Sequence, residues 1–372
     1  MTVLVPERVA SVIQTMREEG FTAVTDATTD MIRATLRSVS AGDALTTGAA
    51  EAFMAAVLDG EVSPAQLAGV LVGMRVRGET TEELTGFVRA LRSRSIQVPA
   101  PLGTIDTCGT GGDGHQTFNI STASSLVTAA SGAVVAKTGN RAVSGISGSS
   151  DVMRALGLTV ELDRAEAEAS LLEDGYAYLH APAFHPGMRH AGPVRLELGV
   201  RTAFNFIGPI ANAAQPTRQL MGVPDEDVAR RAAETLHALG TERAFVVTGD
   251  GIDELPLDDS GVIFDVSPAG IERRRVTSAD HGLPIAATEA LAGGDGEANA
   301  RLIEAVLRDE HDGPVRDVVV LNAGASLVVA GLAGDIRDGV RLADVTIGSG
   351  AAFELLQRLR ARAASSGAGT EA

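Results

Sequence analysis

Residues 106–151 constrain this chain more than any other stretch: DTCGTGGDGHQTFNISTASSLVTAASGAVVAKTGNRAVSGISGSSD. Apolar runs alternate there with loops rich in glycine and hydroxyl side chains. That alternation suits an α/β sheet, whose strand-end loops gather in one crevice. The apolar run Leu102–Ile105, with Val98 upstream, leads into Gly109-Thr110-Gly111-Gly112-Asp113. Glycines so closely spaced let the backbone take positive φ and approach a ligand. Backbone N–H groups in such a turn converge on an anion without a cationic side chain. Asn119 to Ser125 then supplies helix-capping residues, and Ala-rich sequence follows to Ala130. The pattern predicts a helix starting near Ser121 or Thr122, its free N–H groups aimed at the same anion. A second apolar run, Ala133–Ala136, predicts a buried strand that delivers Lys137, followed by Thr138-Gly139-Asn140-Arg141. A third polar loop, Ser144–Asp151, precedes another helix.

One such loop would be an ordinary strand-to-helix turn. Three of them, with one Lys and one Arg, within about 45 residues point to phosphate. The loops are not those of the common nucleotide folds. No Lys closes a Walker spacing, and no G-x-G-x-x-G has an acidic residue about 20 positions later.

Charge narrows the partners. With 31 Lys+Arg against 48 Asp+Glu, the formal net charge is −17, which argues against nucleic acid. It leaves an anionic small molecule open, because a local group of metal, Lys and Arg decides that. The single cysteine, Cys108, excludes an intrachain disulfide and fits a reducing, cytoplasmic setting. No apolar run reaches the ~18 residues of a membrane span, and Met1–Gly20 lacks the apolar core of a signal peptide.

Along the rest of the chain, Val9, Val12, Ile13 and Met16 give residues 1–30 an amphipathic helical pattern. Residues 31–95 read as four helices, with starts at Thr46-Thr47, Ser63-Pro64 and Thr80-Thr81-Glu82-Glu83. Helices are expected over 151–156, 164–173 and 227–239. Strands are expected over 158–160, 176–180 and 244–247, and hairpin material over 261–276. Asp317–Ala325, with its Val-Val-Val-Leu run, reads as a strand and turn. Helices then reach about 362, and the tail beyond is expected to be disordered.

Two further stretches carry chemistry. His185 to Asn212, HPGMRHAGPVRLELGVRTAFNFIGPIAN, holds Arg189, Arg195 and Arg201 with His185 and His190, the densest cationic group in an acidic chain. Arg189 reads equally well as a solvated charge. Arg195 has Val194 and Leu198 as neighbours and needs a partner, and its planar fork suits a carboxylate. Asp253-Glu254 follows the predicted strand 244–247. Adjacent acids on a loop are usually just solvated, but a strand-end pair also suits Mg²⁺, which takes few carboxylates while bridging phosphates.

Four segments, GTGGD, TFNIST, K-x-GNR and SGSSDVMRALG, together resemble the anthranilate phosphoribosyltransferase family. GEVSPAQLAGVLVGMRVRGET, the F-N-x-x-G-P segment and G-x-D-E-L extend the resemblance from about Met31 onward. It implies Mg-dependent transfer of the ribosyl phosphate of phosphoribosyl pyrophosphate (PRPP) to the amine of anthranilate, a step of tryptophan biosynthesis. It further implies a two-domain α/β fold of the nucleoside phosphorylase/phosphoribosyltransferase kind: a small all-helical lobe and a large α/β domain with a central, mostly parallel sheet. The expected division is 1–30 extension, 31–100 with 194–218 small lobe, 101–193 with 219–362 large domain, and 363–372 tail. Carried over by motif, the PRPP residues are Gly109, Thr110, Gly111, Gly112, Asp113, Thr117, Asn119, Ser121, Thr122, Lys137 and Ser149. The acceptor residues are Gly109, Asn140, His185, Arg195 and Pro209. The Mg²⁺ ligands are Ser121, Asp253 and Glu254. A homodimer is implied as well.

Three positions depart from the family pattern: Thr138 where K-H-G-N-R is usual, Thr248 where His-Gly precedes the metal loop, and Ala213 where Asn-Pro is usual. They leave open a paralogous enzyme with a different aromatic acceptor. Nucleoside phosphorylases share the two-lobe architecture but not this glycine loop.

Overall fold

The computed structural model describes residues 26–111, 116–141 and 147–368. The pattern Val9–Met16, the site candidates Gly112 and Asp113, the loop residues Ser144–Ile146 and the last residues 369–372 lie outside them.

Local sequence explains the four opening helices: α1 (Asp26–Ser40), α2 (Thr47–Leu58), α3 (Pro64–Arg77) and α4 (Thr81–Ser93). The Thr46 side chain accepts from Ala49 N. Ser63 with Gln66, and Thr80 with Glu83, form reciprocal capping boxes, each cap contributing about 1 kcal/mol. Glu83 is fully buried, ion-pairs with Arg77 and accepts from Leu45 N at 2.9 Å. It therefore caps one helix while tying the loop before α2 to it.

A seven-stranded sheet follows, in order β3-β2-β1-β4-β5-β6-β7. The strands are β1 (Ile105–Gly109), β2 (Val135–Gly139), β3 (Tyr176–His180), β4 (Arg218–Gly222), β5 (Arg243–Thr248), β6 (Gly261–Ser267) and β7 (Gly270–Val276). The first five are mutually parallel, and the hairpin β6–β7 continues antiparallel. Successive strand side chains point to opposite faces, and the two cores obey this. Leu220, Phe245 and Val247 join one core with α5 (Ile120–Ala130), α12 (Gly296–Leu307), α13 (Pro314–Ala330), α14 (Ile336–Gly348) and α15 (Ala351–Ala368). Met221, Ala244 and Val246 join the other, with α1–α4 and α11 (Glu226–Ala238). The shorter α-helices among the described residues are α6 (Ser149–Ala155), α7 (Arg164–Glu173), α8 (Ala181–Phe184), α9 (Gly192–Leu198) and α10 (Phe204–Ile210).

Three expectations need correction. Asp317–Ala325 is the middle of helix α13, not a strand and turn; 13 of its 17 residues are buried, so the run is apolar on all sides and shows no helical period. Residues 158–160 form no strand. Leu158 N instead closes the end of α6 on Met153 O at 3.0 Å, and the segment packs without pairing. Helix α15 runs to Ala368, beyond the expected limit at 362.

Candidate active site

Because β1, β2, β4 and β5 are parallel, the loops after Gly109, Gly139, Gly222 and Thr248 leave the sheet along one edge. Two glycines make close packing there possible. A Cβ on Gly222 would lie 1.6 Å from Asp253 O, and one on Gly109 would lie 2.3 Å from Asp253 Oδ2. The loop carrying Asp253 and Glu254 thus lies directly against the ends of β1 and β4.

Hydrogen bonds join the loops. Gly111 N donates to Asp253 Oδ2 at 2.6 Å, and Ser121 N, in the first turn of α5, donates to Glu254 Oε1 at 2.9 Å. Thr110 N donates to Gly222 O at 3.0 Å. Lys137 is 1 % exposed; its Nζ donates to Thr107 O at 2.7 Å and to Ser121 Oγ at 3.3 Å. It therefore lies under the loops and holds Ser121. Burial lowers its pKa, opposed chiefly by the negative charge of fully buried Asp106. Asp106 itself is pushed up by burial while accepting from Thr138 N at 3.0 Å. Burial also pushes the Cys108 thiol well up, which fits a packing role and not a reactive one.

Thr110 Oγ1 and Thr122 Oγ1 are removed from solvent and have no partner among the described residues. Both are on candidate donor loops, and phosphate oxygens would satisfy them. Ser149 Oγ meets Tyr178 Oη at 2.9 Å and donates to Asn140 O at 3.3 Å, linking the third loop to the second. Thr117 pairs with Ala292 in an isolated bridge, which fixes the approach to α5.

The donor set fits Mg²⁺: two carboxylates and a hydroxyl, all oxygen, with room in its coordination shell for phosphate oxygens and water. Among the described residues no group of three His, Cys, Asp or Glu could hold a metal alone.

Two positioning residues carry no local signal. Asn322, fully buried on α13, donates to Leu255 O and Val318 O at 3.0 Å and accepts from Leu255 N at 2.9 Å. It holds the chain next to Asp253-Glu254. Asn299 on α12 donates to Asn119 Oδ1 at 2.9 Å and so fixes the orientation of that amide.

The acceptor candidates reside on the excursion between β3 and β4. Burial pushes His185 down to about 4, a hydrogen bond with the Ala211 backbone acting the other way. The Arg195 guanidinium lies 5.1 Å from the Phe204 ring centroid, and burial lowers its pKa. Pro209 O accepts from Gln219 Nε2 at 2.9 Å. Asn140 is exposed, and its carbonyl accepts from Ser149 Oγ at 3.3 Å. The link between the two sides is Arg201, whose Nη2 donates to Gly111 O at 3.1 Å.

This arrangement of sheet, helices and loops has known relatives. A model described as "Glycosyl transferase family, a/b domain" matches residues 102–353, and its helical bundle counterpart matches 33–95. The anthranilate phosphoribosyltransferase of Rubrobacter xylanophilus is 44 % identical over 329 residues, 88 % of this chain and 96 % of that protein. The chain belongs to the anthranilate phosphoribosyltransferase family. The crystal structure of the family's enzyme from Thermus thermophilus superposes with a TM-score of 0.85 at 39 % identity, covering 88 % of this chain and 99 % of that one. A family structure from Saccharomyces cerevisiae, in complex with PRPP and Mg, shares the fold with a TM-score of 0.83 at 22 % identity over 92 % and 100 % of the two chains. The departures from the family pattern now have places. Thr248 is a buried strand residue opposite Val262, and Thr138 anchors its amide on Asp106.

Proposed function

We propose that this chain transfers the phosphoribosyl group of PRPP to the amine of anthranilate, with Mg²⁺, releasing pyrophosphate. The observation that carries the reading is the meeting of the Gly111 and Ser121 amides with the Asp253 and Glu254 carboxylates at one sheet edge. A fold neighbour solved with PRPP and Mg agrees with it.

In this reading the donor's pyrophosphate lies along Gly109–Gly111 and the N-terminus of α5. Asn119, Thr122 and Ser149 supply hydrogen bonds, and Lys137 supplies charge from below. Gly112, Asp113 and Thr117 complete the donor residues. Asp253, Glu254 and Ser121 would hold Mg²⁺, which when bound would supply positive charge to neutralise the departing pyrophosphate. Fixed amide dipoles act on that same developing charge and need no reorganisation as the C1–O bond breaks. Arg195 binds the acceptor carboxylate, with Asn140, Gly109, His185 and Pro209 around the ring. An aromatic amine is already a nucleophile, so orientation suffices and no side chain acts as base. The lobes are 31–100 with 194–218, and 101–193 with 219–362, paired in a homodimer in the cytoplasm.

The test is pyrophosphate release from PRPP and Mg²⁺ with a panel of aromatic amines. Release with anthranilate is expected, and Arg195→Lys should raise the acceptor KM by about tenfold or more while leaving the PRPP KM near its starting value. Release only with another acceptor would assign the chain to a paralogous specificity.

A further inference from the structure

The groups best suited to receive a phosphate at this edge are already engaged by the chain itself. Gly111 N is held by Asp253 Oδ2 at 2.6 Å, and Ser121 N by Glu254 Oε1 at 2.9 Å. Both are hydrogen bonds to a charged acceptor, roughly twice as strong as neutral ones. The second lies at the N-terminus of an 11-residue helix, where a negative charge is favoured further. An N–H group gives one strong hydrogen bond. A phosphate oxygen cannot take either amide while the carboxylate keeps it. Nor would a pyrophosphate settle beside two carboxylates of like charge unless a cation lay between them.

We propose that Asp253 and Glu254 are an internal stand-in for the donor's phosphate, holding the Gly111 and Ser121 amides until a divalent cation draws the carboxylates away. The same two side chains then have successive roles. They keep an anion site satisfied when no donor is bound, and they become ligands when donor and cation arrive together. Metal dependence would thus arise partly from unlocking the amides and only partly from neutralising the leaving group. The closeness of Gly109 and Gly222 to Asp253 belongs to the same device, since any larger residue would push the carboxylate off its amide. The proposal rests on reading this edge as the donor site.

The experiment uses the full chain and inorganic pyrophosphate as probe, with calorimetry in metal-chelated buffer. The Asp253→Asn/Glu254→Gln protein should bind metal-free pyrophosphate about tenfold more tightly than the unsubstituted chain, one charge-assisted hydrogen bond's worth of competition. It should gain little more from added Mg²⁺. Asp250→Asn removes one charge from the same loop, as Glu254→Gln alone does and the double variant does twice over, at a residue whose carboxylate accepts from Thr288 Oγ1 and not from these amides. It should stay within about twofold, which separates amide release from general loss of repulsion. In ¹⁵N spectra the Gly111 and Ser121 amides should move upfield in the double variant, and Glu254→Gln alone should move only Ser121. Metal-free affinity no greater than that of Asp250→Asn, or unmoved amides, would overturn the proposal. If pyrophosphate binds no form with or without Mg²⁺, the donor-site reading itself fails, and the proposal with it.

Discussion

Replacing Gly222 with alanine tests the packing on which the loop carrying Asp253 and Glu254 depends. A Cβ at this position would lie 1.6 Å from Asp253 O, 2.4 Å from Asp253 C and 3.3 Å from Glu254 N. Ordinary contact of such atoms begins near 3.4 Å. The first atom is main chain, so no rotamer change relieves the clash. Either the Asp253 segment or the end of β4 must move by roughly 1.5–2 Å, and β4 is pinned on both sides by β1 and β5. The loop should therefore move and carry both carboxylates with it. A misplacement of about 1 Å at a reacting centre can cost 100-fold. Gly222→Ala should lower kcat/KM by at least about 100-fold and raise the Mg²⁺ concentration for half-maximal rate, while overpacking costs about 1–3 kcal/mol of stability. Gly48→Ala is the control: it is in helix α2, a Cβ there would touch nothing within 4 Å, and the helix should gain about 0.5–1 kcal/mol. Steady-state rates across a Mg²⁺ series and urea melts measure both. A Gly222→Ala protein with unaltered metal response would refute the reasoning, because the loop would then have absorbed the methyl group elsewhere.

Asn322→Leu should destabilise the chain by about 2–5 kcal/mol in urea melts, since it strands both the N–H and the C=O of fully buried Leu255; a loss below about 1 kcal/mol would contradict the role given to this side chain. Lys137→Met should cost about 3 kcal/mol by leaving the Asp106 carboxylate without its opposing charge, and adding Asp106→Asn should return part of that; strictly additive losses would show that the two are not coupled. His185 is held neutral in the fold, with its pKa near 4 against 6.5 in the open chain. The unfolded chain takes up the proton first, so stability should be complete above about pH 6.5 and fall as the pH drops toward 4, by roughly 2–3 kcal/mol in all. His185→Gln should remove that slope from a series of melts between those pH values.

What the sequence made legible was local. Glycine and hydroxyl loops announce their chemistry because backbone freedom and N-capping are properties of a few adjacent residues, and so the start of α5 and the strand end at Thr248 could be placed, whereas β2 begins at Val135, later than the expected Ala133, and carries Lys137 in its middle and not at its end. The interior resisted for a physical reason. Helix α13 is surrounded by protein, and burial on every side erases the 3.6-residue period while its valines imitate a strand. Leu158 and Val160 look like strand residues because they are apolar and partly β-branched, yet they are buried without a partner strand. Asn322 and Asn299 act across 67 and 180 residues of sequence, and nothing beside them marks the contact. The acids Asp253 and Glu254 were recognisable, but not their engagement with the amides of Gly111 and Ser121, which exists only once β1, α5 and the loop after β5 are assembled.

The excursion between β3 and β4 has a further consequence. A strand residue answers to two neighbouring strands and a layer of helix on each face, so its identity is tightly fixed. His185, Arg195 and Pro209 are instead on a detour that departs from the outermost strand and rejoins the sheet beside β1. Residues on such a branch can be exchanged without redrawing the register of any ladder. With the acceptor received on this branch, as proposed above, choice of nucleophile would be the cheapest property of this architecture to rewrite, whether by natural drift or at the bench, while the grip on the sugar phosphate would stay with the framework.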